Sequence, residues 1–132
     1  MTTSSSEIRV VVADDSAAFR QTLCAFLQGV PRVRVVGVAA DGDSAVTVAA
    51  NAKADVVLLD LVMPRGGGSS AAVRIKSATP STRVIFLSLL GRRELAHATS
   101  MTGADGFLCK ADIDEELVPL LVERTHGVSD GT

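Results

Sequence analysis

The chain has 132 residues, with 13 Lys and Arg against 15 Asp and Glu and a formal net charge of -2. That length suits one domain with its own core, and 47% hydrophobic against 21% charged residues exclude a disordered chain. With 3% aromatics, no Trp or Tyr and no basic excess, the composition argues against base-stacking surfaces and against steering to DNA or to an anionic membrane.

Ile8–Ala13 (IRVVVA) is a β-branched run and predicts a first strand. Ser16 can then cap a helix whose Phe19, Leu23, Phe26, Leu27 and Val30 share one face. Pro31 ends that helix, and Val33–Ala39 (VRVVGVA) predicts a second strand. Asp43 is expected to cap a short Ala/Val helix reaching Asn51, before Asp55–Asp60 (DVVLLD), a third strand apolar enough to be covered on both faces. Gly66–Gly68 reads as a flexible loop before a helix from about Ser69 to Ala78. Pro80 breaks it, and Thr82–Ser88 (TRVIFLS) is the fourth strand. A helix over Arg92–Thr102, stopped by Gly103, leads to a short fifth strand, Gly106–Cys109. The last helix is expected from near Asp112, which with Glu115 has the spacing of a capping box; Ile113, Leu117, Leu120 and Leu121 form its apolar stripe. Pro119 falls inside that stripe and should kink it.

Cys24 and Cys109 are far apart in sequence, make no metal-ligand spacing and are expected to be buried, reduced thiols. His97 and His126 have no acidic partner in view and are expected on the surface. No run of 18 apolar residues could span a bilayer, and the polar start, MTTSSSE, has no signal-peptide pattern. The expectation is a cytoplasmic domain over residues 8–126, with flexible ends at 1–7 and 127–132.

Strict alternation of strand and helix predicts an α/β fold, a five-stranded parallel sheet covered by helices on both faces. A dinucleotide-binding fold would need Gly-x-Gly-x-x-Gly after the first strand. Asp14-Asp15-Ser16 stands there instead, and its carboxylates would repel a pyrophosphate. The strand order 2-1-3-4-5 follows, a doubly wound, flavodoxin-like (βα)5 three-layer sandwich. In that order a ligand is expected outside the carboxyl ends of strands one and three, where Asp14, Asp15 and Asp60 converge. Two carboxylates about 4 Å apart repel by roughly 4 kcal/mol at an effective dielectric near 20, so the cluster asks for a cation. An open, all-oxygen site with few carboxylates suits Mg²⁺. Ser88 ends strand four and Lys110 follows strand five, adding a hydroxyl and an ammonium to the same crevice. Metal ligands, a carboxylate nucleophile, a hydroxyl and a lysine together describe phosphoryl transfer. Asp60, alone on its strand, is the better nucleophile candidate, which leaves Asp14 and Asp15 to hold the metal.

From about Ile8 to Val122 the sequence resembles the receiver domain of bacterial two-component response regulators. The resemblance rests on Asp14-Asp15, on Asp60-Leu61-Val62-Met63-Pro64, on Ser88 and on the run Gly103 to Lys110 (GADGFLCK), in that order. The final segment most resembles receivers of regulators with a helix-turn-helix, LuxR-type output. The resemblance implies that Asp60 accepts a phosphoryl group from a sensor histidine kinase or phosphotransfer protein. It further implies that Asp14, Asp15, Asp60 and the Val62 carbonyl hold Mg²⁺, while Lys110 and Ser88 contact the attached phosphoryl group. Phe107 matches an aromatic switch position that moves with the serine and changes the face made by helix four, strand five and helix five. A homodimer is a further implied partner, whereas this chain itself is expected to contact neither nucleic acid nor membrane. No turnover enzyme is expected: a dedicated hydrolase commonly has a second Asp two residues past the nucleophile, and Val62 stands there. Leu89 departs from the small residue usual after the serine and favours the alternative, a degenerate receiver acting as a constitutive interaction module.

Overall fold

The computed structural model describes residues 7–65 and 67–127. The expected flexible ends lie outside the described residues, apart from Glu7 and Gly127, and so does the side chain of His126. Five strands, β1 (Ile8–Ala13), β2 (Val33–Ala39), β3 (Val56–Asp60), β4 (Arg83–Ser88) and β5 (Gly106–Cys109), alternate with five helices. The helices are α1 (Ala17–Gln28), α2 (Gly42–Asn51), α3 (Gly67–Ala78), α4 (Arg92–Thr102) and α5 (Ile113–Gly127). All strand pairs are parallel and the order is β2-β1-β3-β4-β5, as the alternation and the acidic first turn require.

Side chains alternate across the sheet, and the two faces are packed differently. Val11, Ala13, Val57, Leu59, Val84 and Phe86 meet a small-residue layer containing Ala45, Ala49, Ala71, Ala72 and Ile75. Val10, Val12, Val56, Leu58, Ile85 and Leu87 meet the larger Leu23, Leu27, Ile113, Leu117 and Leu121 of α1 and α5. The aliphatic composition is thus used as two continuous cores with the sheet between them.

Several element ends differ from the sequence reading, and each difference has a tertiary cause. Asp41, not Asp43, caps α2, its carboxylate accepting from Ser44 N at 2.8 Å and Ser44 Oγ at 2.7 Å. Gly42 opens that helix because a Cβ there would lie 2.7 Å from the Arg65 carbonyl oxygen. α3 begins at Gly67, inside the expected glycine loop. A Cβ on Gly68 would collide with the backbone carbonyls of Asp60 and Leu61, so this glycine serves close approach rather than flexibility. A 3-10 turn at Lys110–Asp112 precedes α5, and neither Asp112 nor Glu115 makes the bonds of a capping box. α5 continues through Pro119. Both Pro119 and Glu115 are exposed, so the carbonyl that the proline leaves without a donor can be hydrated. Gly103 ends α4 in the left-handed conformation, at φ 83°.

Candidate functional site

The carboxyl ends of β1 and β3 are adjacent, since Ala13 pairs with Leu59, and so bring Asp14 and Asp60 side by side. Asp14 is almost wholly buried. Its Oδ1 accepts from Ser16 N at 2.9 Å, and its carbonyl oxygen accepts from Arg20 Nη1 at 2.7 Å. Its Oδ2 lies 2.6 Å from Lys110 Nζ, and among the described residues this ion pair is the one polar contact of that buried oxygen. Asp15 is exposed at the rim. One carboxylate oxygen from each of Asp14, Asp15 and Asp60 falls within 4.8 Å of the others. Octahedral Mg²⁺ separates trans ligands by roughly 4.2 Å. The all-carboxylate set, with a buried Asp14 oxygen held by the lysine alone, therefore fits a small hard cation.

Asp60 ends β3, where the sheet core gives way to the cleft. Its carboxylate has one long bond, from Val62 N at 3.4 Å, and Lys110 Nζ at 3.8 Å. Burial and the Asp14 charge push its carboxyl up to about 6 against the opposing pull of Lys110. Ser88 pairs with Cys109 across β4 and β5, and its Oγ accepts from Leu90 N at 3.0 Å, which leaves the hydroxyl proton available to a ligand. Lys110 reaches in from the end of β5 with its side chain only 13% exposed.

Asp14, Asp15, Asp60, Val62, Ser88 and Lys110 line one open cleft of about 320 Å³. Phe107 does not line it. That ring is half-buried against the α2–α4 side of the sheet, with the Arg92 guanidinium 5.5 Å from its centroid. Leu89 is at the cleft's edge but 84% exposed, so most of its side chain faces solvent instead of filling the space over Asp60. Cys24 and Cys109 are free thiols, partly rather than fully buried. His97 is exposed. Two contacts escaped the sequence reading: the Phe19 ring, whose centroid is 4.1 Å from Lys110 Nζ, and Arg20 on the Asp14 carbonyl. From the sequence, Phe19 belongs only to the apolar face of α1. Its position in the first turn, where helical side chains lean back towards the N-terminus, is the one local signal of the contact.

Comparison with known proteins gives a consistent match. The family model described as the response regulator receiver domain covers residues 10–121. The transcriptional regulatory protein YxjL of Bacillus subtilis is 33% identical over 121 residues, 92% of this chain and 56% of that protein. The chain thus spans about half the length of that regulator, and likewise 54% of the oxygen regulatory protein NreC of Staphylococcus haemolyticus. Among solved structures, the signal receiver domain of NarL from Mycobacterium tuberculosis is 33% identical with a TM-score of 0.84, covering 92% of this chain and 98% of that one. The response regulator domain of Thermotoga maritima CheB is 31% identical with a TM-score of 0.81, covering 89% and 95%.

Proposed function

Since the chain belongs to the response regulator receiver domain family of two-component signal transduction, we propose that Asp60 is its phosphoryl acceptor. The observation that carries this reading is the meeting of Asp14, Asp15, Asp60, Ser88 and Lys110 around one open cleft. An oxygen of Asp60 attacks phosphorus as the P–N bond of a phosphohistidine breaks, and the bonding pair leaves with the imidazole nitrogen. Asp14, Asp15, Asp60 and the Val62 carbonyl would hold Mg²⁺, which when bound would supply positive charge to the transferring group. Lys110 adds an ammonium to the same oxygens, and the free proton of Ser88 Oγ gives one of them a hydrogen bond.

The reaction ends with Asp60 modified, so the domain is a self-phosphorylating switch, reset by slow hydrolysis, and not a turnover enzyme. Its donors are a sensor histidine kinase or phosphotransfer protein in the cytoplasm. Inward movement of Ser88, followed by Phe107, changes the α4–β5–α5 face and with it a homodimer or output contact. The outward Leu89 leaves the constitutive-module alternative without its main support.

Intact-mass measurement after incubation with acetyl phosphate and Mg²⁺ tests the reading. One phosphoryl adduct is expected, and none on Asp60→Asn. Full labelling of the variant would mean that another residue is the acceptor.

A further inference from the structure

Lys110 carries its charge on a long, flexible stem, and four rotatable bonds give it more places to go than one. Its ammonium is 2.6 Å from Asp14 Oδ2, 3.8 Å from Asp60 Oδ2 and 4.1 Å from the centroid of Phe19. Two carboxylates and one aromatic face therefore enclose it. The carboxylates are a variable hold, because any cation that enters the acidic cluster draws on Asp14 and weakens its attraction for the lysine. The ring is neutral, and its hold persists.

Phe19 is itself well anchored. Its backbone N donates to Ser16 Oγ at 3.1 Å, which fixes the first turn of α1. The neighbouring Arg20 pins that turn to the end of β1 through the Asp14 carbonyl, at 2.7 Å. The ring packs against the cluster that contains Leu23, Leu108 and Ile113, and so cannot follow the lysine if it swings away. An ammonium within about 6 Å of an aromatic centroid, in a partly desolvated place, is held by the ring quadrupole.

We propose that Phe19 is a positioning residue that keeps the Lys110 ammonium beside Asp60 to meet a phosphoryl oxygen. The proposal rests on the reading of Asp60 as phosphoryl acceptor. It separates Phe19 from an ordinary core residue, because an aliphatic side chain could fill the same space but offers no quadrupole.

The test is calorimetric titration with beryllofluoride, a phosphoryl mimic, at saturating Mg²⁺, beside titration with Mg²⁺ alone. Phe19→Leu should weaken beryllofluoride binding about three- to tenfold, whereas Phe19→Tyr, which keeps the ring, should stay within about twofold of the unsubstituted protein. Affinity for Mg²⁺ alone should change by less than about twofold in both. In a Lys110→Ala background, Phe19→Leu should cost nothing more. Phe19→Met serves the same comparison if the leucine variant does not fold. Equal beryllofluoride binding by Phe19→Leu overturns the proposal, as does a matching loss in Phe19→Tyr or in the Lys110→Ala background. If the unsubstituted protein binds Mg²⁺ but no beryllofluoride, the reading of Asp60 falls and the proposal falls with it.

Discussion

The two edges of the one parallel sheet use the same residue types to opposite ends. At the amino edge, Asp55 and Asp105 each stand just before a strand and bond its neighbour in both directions. Asp55 N donates to the Arg9 carbonyl at 2.8 Å, and Arg9 N donates to Asp55 Oδ2 at 2.8 Å. Asp105 makes the same reciprocal pair with Val84, at 2.8 Å each way. Lys76 completes that edge, its ammonium 2.9 Å from Asp105 Oδ2, 3.0 Å from the Pro80 carbonyl oxygen and 2.8 Å from that of Thr82. At the carboxyl edge, by contrast, Asp14 Oδ2 has only the Lys110 ion pair among the described residues, Asp60 has one long bond, and that one lysine is shared between the two buried acids. Saturated bonding fixes strand register at one edge. Unsaturated charge at the other is what the proposed binding of a cation and a phosphoryl group would draw on.

Removing a lysine at the saturated edge should have the largest effect on stability. Lys76→Met leaves two carbonyls and the Asp105 carboxylate, whose side chain is 22% exposed, without their ammonium and should destabilise by about 3 kcal/mol through the loss of three charge-assisted hydrogen bonds, read as a shift of the urea midpoint. A loss below about 0.5 kcal/mol would mean that this edge behaves as an exposed surface pair, and the contrast would collapse. Mg²⁺ comes next and acts on the opposite edge. At a hundredfold excess over its dissociation constant it should stabilise the unsubstituted protein by about 2.7 kcal/mol. A melting temperature unmoved by tens of millimolar Mg²⁺ would count against the acidic cluster as a metal site.

The unsaturated edge was the more legible of the two. Asp14, Asp15 and Asp60 announce themselves because a parallel sheet of this order exposes the ends of strands one and three, and carboxylates there have no structural reason to converge. Ser88 and Lys110 follow from the same strand-end logic. The saturated edge depends on pairings such as Arg9 with Asp55, 46 residues apart, which no local pattern encodes. Distance also hid the contact of Phe19 with Lys110, since α1 and the end of β5 meet only once the chain has folded. The glycines misled for a related reason. Gly68 reads locally as part of a flexible loop, whereas it is needed, as is Gly42, where one backbone passes close over another. Apolar periodicity located α1 and α5, and Gly, Pro and cap signals the helices between them, but where α2 and α3 begin is decided by that close approach.

A smaller effect separates the two kinds of acid by the sign of their pH dependence. With chelator present, the Asp60 carboxyl titrates near 6 in the folded chain, through burial and the Asp14 charge, against about 3.9 when unfolded. Between those values the folded state binds the proton more tightly, so stability falls as pH rises from about 4 to 6.5, by on the order of 2 kcal/mol, and stays lowered above that. Asp41 has the opposite sign: hydrogen bonds from Ser44 hold its carboxyl below the usual value, so its contribution is present at neutral pH and lost on acidification. Asp60→Asn should therefore be more stable than the unsubstituted protein at pH 7, and the advantage should vanish at pH 4. Urea unfolding of both proteins across that range, with the two curves subtracted, isolates Asp60 from every acid they share. A difference that does not vary with pH would show that Asp60 carries no electrostatic strain, and that the two edges of the sheet differ in bonding but not in stored charge.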